Sequence, residues 1–253
     1  MATEVRRRAA ASFYPHLYEA ALALGTLELA SGASSGSITG LNTGSFENFS
    51  ALVVDAGASW MLSGSNTIAS VTDDGSLVIT GALPAATYQI GAAGGGGTLE
   101  VASAPSAASP ISFLGNSKLI IDSAAGFGAN IGNASYTGPL LEDFISGDTI
   151  DIKSFSTVNA SYTYNSVTGL LQVVNGSQTA SLDFQTSTLG SGAFSLTSDG
   201  GTGLDVTLSQ ATAPAAPTIA SPASGSTDTT TAEPVISGGG VSGDTVSISI
   251  DGS

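Results

Sequence analysis

The chain has 253 residues, 42% of them hydrophobic and only 10% charged, with 33 glycines and no cysteine. This apolar content excludes disorder, which needs low hydrophobicity and high charge, and the lack of cysteine excludes a disulfide framework, a thiolate metal site and a cysteine nucleophile. The net charge of −15, with only Lys118 and Lys153 as cations beyond residue 8, excludes nucleic acid as a partner, and no apolar run of about 18 residues offers a membrane-spanning helix.

Residues 1–25 carry Arg6, Arg7 and Arg8 ahead of a partly apolar stretch that ends at Leu24. That is the outline of a signal peptide, but His16 and Glu19 interrupt it and Pro15 lies early, so the segment is predicted as a short helical leader.

From residue 26 to 140 a signature recurs: a leucine, then apolar or alternating residues, then small turn residues. It is seen at Thr26-Leu27-Glu28-Leu29, Ala51-Leu52-Val53-Val54, Ser76-Leu77-Val78-Ile79, Thr98-Leu99-Glu100-Val101 and Lys118-Leu119-Ile120-Ile121. The leading leucines are spaced 25, 25, 22 and 20 residues apart, within the range of solenoid repeats. Shorter apolar pieces lie between them, among them Ile38, Trp60-Met61-Leu62, Tyr88-Gln89-Ile90 and Ile111-Ser112-Phe113-Leu114. The prediction is an all-β chain: a parallel β-helix of two or three short strands per coil, the leucines stacking in one column and Gly, Asn and Ser taking the corners. An antiparallel sandwich with evenly spaced strands is the competing architecture.

Residues 141–210 have a different texture, with alternating runs at Tyr162-Thr163-Tyr164, Leu170 to Val174, Ala180 to Phe184 and Leu204 to Leu208, split by Thr168-Gly169, Asn175-Gly176 and Asp199-Gly200. They predict a β-rich cap, or a final set of coils, that covers the open strand edges of the solenoid. Residues 211–253 begin with Pro214, Pro217, Pro222 and Pro234 in Thr/Ser/Ala-rich surroundings, a linker or entry strand, followed by two strand-like runs at Pro234 to Gly238 and Asp244 to Gly252.

Three segments carry resemblances. Ala216-Pro217-Thr218-Ile219, Glu233-Pro234-Val235-Ile236-Ser237-Gly238 and Gly243 to Gly252 resemble, in order and spacing, the opening strands of bacterial immunoglobulin-like repeats of giant adhesins, which implies a truncated immunoglobulin-like segment. The run Asp143-Phe144-Ile145-Ser146-Gly147-Asp148-Thr149-Ile150-Asp151-Ile152 is similar to the segment that follows calcium-binding β-rolls in proteins exported by bacterial type I secretion, although no tandem array of their Gly-Gly-x-Gly-x-Asp nonapeptides occurs here. Residues 26–140 resemble haemagglutinin-type or autotransporter-passenger β-helices in texture. Together these resemblances imply a fragment of a large exported bacterial surface protein, extracellular or on the cell surface.

Candidate chemistry is sparse. Gly32-Ala33-Ser34-Ser35-Gly36 matches a nucleophile elbow, but the single histidine, His16, lies in the leader and no helix pattern follows. Gly126 to Gly132 has one residue too many for a dinucleotide fingerprint. Asp73-Asp74, Glu142-Asp143 and Asp148 with Asp151 are the carboxylate pairs a glycan-cleaving β-helix would use; Asp73-Asp74 falls in a turn signal. Trp60, Tyr162 and Tyr164 suit either a sugar platform or core packing. Asp143, Asp148 and Asp151, with Glu142 nearby, are the candidate calcium ligands, against a role in turns and edge protection. Calcium is the only cofactor these residues suggest. The reading is a non-enzymatic structural or adhesive segment, with glycans of a host, neighbouring cell or matrix as partners, no membrane insertion, and self-association through open β edges. A carbohydrate-active β-helix enzyme, lyase or hydrolase, is the alternative.

Overall fold

The computed structural model describes residues 5–8, 25–43, 46–81, 87–103, 109–209, 218–221 and 237–239. They belong to two units, residues 1–210 and 211–253.

In the first unit the alternation of apolar and small polar residues produces short strands with one buried face. In Ser76-Leu77-Val78-Ile79, for example, Leu77 and Ile79 are buried and the alternate residues Ser76 and Val78 are half-buried. Successive strands enter two sheets in turn. The first sheet takes β2 (Gly25–Leu29), and the second takes β3 (Gly36–Thr39). The alternation continues with β4 (Phe49–Val54), β5 (Ser59–Ser63), β6 (Ser70–Asp73), β7 (Ser76–Ile79), β8 (Thr87–Ile90) and β9 (Thr98–Val101). It ends with β10 (Ile111–Phe113), β11 (Lys118–Ile121), β12 (Leu141–Glu142) and β13 (Thr149–Ile152). Even-numbered strands pair in parallel in the first sheet and odd-numbered ones in the second. Parallel neighbours need a crossover connection, and here each crossover is itself a strand of the opposite sheet. Both sheets contribute their buried residues to one apolar core. Each fully buried leucine or isoleucine contributes about 2 kcal/mol to it.

The five regularly spaced leucines do not form one column. Leu27 pairs with Leu52 in the first sheet, whereas Leu77, Leu99 and Leu119 stack in the second. Leu52 is followed in its own column by Val71, and Leu77 is preceded by Trp60. The series changes sheets at its midpoint, because Val71 and Trp60 fill the inward positions beside Leu52 and Leu77 where leucines would have continued the columns.

The N-terminal segment, expected as a helix, instead supplies a strand at Val5–Arg8, β1, which pairs antiparallel with β2 at the start of the first sheet. The rest of the leader lies outside the described residues. Parallel stacking also runs further than residue 140: β12 and β13 continue both sheets to Ile152. Between β11 and β12 the chain makes its longest excursion, residues 122–140. It includes one helical turn, α1 (Ala124–Phe127), which inserts Phe127 into the core.

After residue 160 the pairing is again antiparallel, as it is between β1 and β2. β14 (Ser161–Tyr164), β15 (Leu170–Val174) and β16 (Thr179–Asp183) form a three-stranded meander, and β17 (Phe194–Ser198) and β18 (Leu204–Leu208) form a hairpin. Both sheets are covered at this end: β18 pairs with β13, and Phe184 bridges to Leu141 with the Gln185 amide donating to the Leu141 carbonyl at 2.8 Å. Aromatic rings connect the parallel core to this end. Phe113 meets Phe144 edge-on at 5.1 Å, Phe144 meets Phe184 at 5.2 Å, Phe184 meets Phe194 at 5.2 Å, and Phe194 meets Tyr164 at 5.0 Å.

In the second unit β19 (Thr218–Ser221) pairs antiparallel with β20 (Ser237–Gly239). The strand expected over 244–252 lies outside the described residues.

Candidate functional site

The acidic segment around β12 and β13 is built by the corner that joins the two sheets. Asp143 takes a left-handed backbone, φ 59°, which aspartate tolerates. This turns the buried Phe144 side chain inward, while the Asp143 amide donates to Thr188 Oγ1 at 2.9 Å. Asp148 is fully buried, and both its oxygens are occupied by backbone donors: Ser117 N–H to Oδ1 at 2.8 Å and Ile145 N–H to Oδ2 at 2.9 Å. Burial pushes this carboxyl up, and the two amides pull it the other way. Asp148 therefore closes its own corner and ties it to the preceding one. Ser117 continues the link, donating to the Ile90 carbonyl at 2.8 Å and accepting from Gly97 N–H at 3.3 Å.

Asp151 faces the other way, onto the outer side of the second sheet. It is directly opposite Asp205 in the β13–β18 register, and like charges so placed repel. Lys118 answers both, with Nζ 2.9 Å from Asp151 Oδ2 and 3.6 Å from Asp205 Oδ1. Burial pulls the Lys118 ammonium down, but its two aspartate partners outweigh this and hold it above the ordinary lysine value. Burial raises the Asp205 carboxyl; Lys118 lowers it, and Asp151 and Asp199 raise it further. Lys153 bridges Glu100 at 2.6 Å and Asp122 at 2.9 Å on the same face.

The three sequence candidates are therefore divided among different tasks. Asp148 is committed to backbone amides, Asp151 to Lys118, and Asp143 to a turn. Among the described residues no three carboxylate or imidazole groups come together as a metal-binding set. Glu142 accepts a hydrogen bond from Ser112 at 3.2 Å. Trp60 is a core residue whose indole N–H donates to the Ala30 carbonyl at 3.0 Å, and Tyr162 and Tyr164 pack on Phe194. Gly36 begins a strand with no helix after it, and Gly126 falls within the single turn of α1. No local sequence pattern marks Ser117, or the pairing of Lys118 with Asp151 and Asp205. Asp205 had a visible signal, the outward position in Leu204-Asp205-Val206-Thr207-Leu208, but its pairing with Asp151 depends on β18 returning to β13.

The outer face of the second sheet carries uncharged hydroxyl rows over its first strands. Ser59, Ser76 and Thr98 follow one another in register, as do Thr39 and Ser63, and Ser35 precedes β3 next to Ser59. Neighbouring hydroxyls bond directly, Ser35 to Ser59 and Thr39 to Ser63, each at 2.9 Å.

These features define an all-β protein with parallel sheets. No helix among the described residues is long and apolar enough to cross a membrane. No family model, curated protein or solved structure matches the chain.

Proposed function

We propose that the chain is a structural or adhesive segment of an exported bacterial surface protein, in which residues 25–152 wind as a two-sheeted β-solenoid and residues 161–208 form its cap. One observation supports this reading above the others: each crossover between parallel neighbours is a strand of the opposite sheet, so that one apolar core can be lengthened circuit by circuit. The carboxylates of the acidic segment hold corners and lysines, which suits a scaffold. The hydroxyl rows of the second sheet would present an uncharged polar surface to glycans of a neighbouring cell or matrix. β19 and β20 would belong to the start of an immunoglobulin-like repeat.

The test is surface labelling. Antibody raised against residues 25–209 should label intact cells of the bacterium that makes the protein, and beads coated with the full chain should adhere to glycan-bearing surfaces. Label confined to permeabilised cells would remove the reading.

A further inference from the structure

The column Leu29, Val54, Asp73, Ile90, Phe113 runs across the inner face of the first sheet, and one of its members is an acid. Asp73 is fully buried. Its Oδ1 accepts from the Gly75 amide at 3.1 Å, and its Oδ2 has no hydrogen-bond partner. The residues stacked against it on β4 and β8, Val54 and Ile90, carry no charge, and inward Leu77 and Ile79 follow on β7. The charged groups at this corner are Asp74 beside it and Asp55 at the end of the neighbouring strand. Both are acidic. Burial raises the Asp73 carboxyl, the Gly75 and Leu77 amides lower it, and Asp74 raises it further. The one other titratable group facing inward from β8 is the buried phenol of Tyr88.

The same corner supports the glycine-rich loop 91–97. Gly91 N–H donates to the Asp73 carbonyl at 2.7 Å and Thr98 N–H to the Gly75 carbonyl at 2.9 Å. A Cβ on Gly97 would lie 1.9 Å from the Asp73 carbonyl oxygen, so the two backbones are in direct contact.

We infer that Asp73 is a proton-controlled lock: the neutral acid seals this corner, and its ionisation loosens the corner together with the 91–97 loop stacked on it. A carboxylate with one unpaired oxygen in an apolar column must recover solvation, and opening the corner is the direct route to water. Burial pushes the Asp73 carboxyl up to about 7 from an unfolded value of 3.8. The folded chain therefore holds this proton more tightly than the unfolded chain, so the stabilisation is complete below the unfolded value and is lost as pH rises through about 7. This device does not depend on the function proposed above.

The experiment compares the full chain with Asp73→Asn, following the unfolding midpoint from about pH 5 to about pH 8.5. The expected result is a midpoint that falls by several degrees in the wild type and much less in D73N, with the variant at least as stable as the wild type at the alkaline end. Parallel curves would overturn the lock, since Asp148, Asp183 and Asp205, also raised by burial, remain in both proteins. Should D73N fail to fold, carboxyl carbon NMR of the wild type decides. One carboxyl titrating near neutrality, with amide protection in 91–97 lost over the same range, is expected; no carboxyl titrating there would overturn it.

Discussion

The amide of Ser117 donates to Oδ1 of Asp148 across 31 positions of sequence, fastening one corner of the chain to the corner stacked on it. The bond is buried and charge-assisted, and the second oxygen of the same carboxylate holds Ile145. Removing the acid leaves the buried Ser117 amide and the partly buried Ile145 amide without their acceptor. Asp148→Ala should cost about 2 to 4 kcal/mol. Asp148→Asn should cost less, because one carbonyl oxygen still accepts. Urea unfolding midpoints would measure both, and an alanine variant as stable as the wild type would refute the clamp.

The Asp151, Asp205 and Lys118 arrangement predicts a compensating pair. Lys118→Met leaves two facing aspartates without their cation and should destabilise by about 1 kcal/mol, the ammonium being partly exposed. Adding Asp205→Asn should restore most of that loss. Lys153→Met, on a more open site, should cost less than about 1 kcal/mol. A double-mutant cycle reads the coupling directly, and additive losses would show that Lys118 does not offset this repulsion.

Loop 91–97 offers a contrast within a single run of glycines. A Cβ on Gly96 would lie 1.7 Å from the Asn116 carbonyl oxygen, whereas one on Gly95 meets nothing within 4 Å. Gly96→Ala should therefore cost more than about 2 kcal/mol and Gly95→Ala less than about 0.5 kcal/mol. Thermal melts of the two variants side by side test the stacking of this loop on residues 114–117.

The aromatic chain from Phe113 to Phe194 predicts that the cap is held by ring packing. Phe184→Ala should destabilise by about 3 to 5 kcal/mol. Amide exchange in β14 to β16 should accelerate more than in β4 to β9. Uniform acceleration would mean that cap and parallel stack unfold as one body.

The strand positions were legible because Ser76-Leu77-Val78-Ile79 and its like alternate with a period that only a half-buried strand satisfies. Which sheet each strand joins was not. Leu52 and Leu77 have the spacing of Leu27 and Leu52, yet the shorter circuits that bring Val71 onto Leu52 and Leu77 onto Trp60 leave no leucine to mark them. The acidic run 143–151 was visible as a cluster of oxygen donors. Its division into a corner clamp, a lysine partner and a turn depends on Ser117 and Lys118, contributed by the preceding circuit. The β1 strand was hidden for a related reason: Arg6 to Arg8 carries no apolar alternation and owes its conformation to the backbone of β2.

The excursion at 122–140 interrupts the chain between β11 and β12 without shifting either register: Ile111 still meets Leu141, and Leu119 still meets Ile150. A corner that can swallow a helical turn and still return the chain to its track is a natural graft point. Residues added at its exposed tip, 132–135, would lengthen the excursion while Phe127 stays in the core and both registers stay in place.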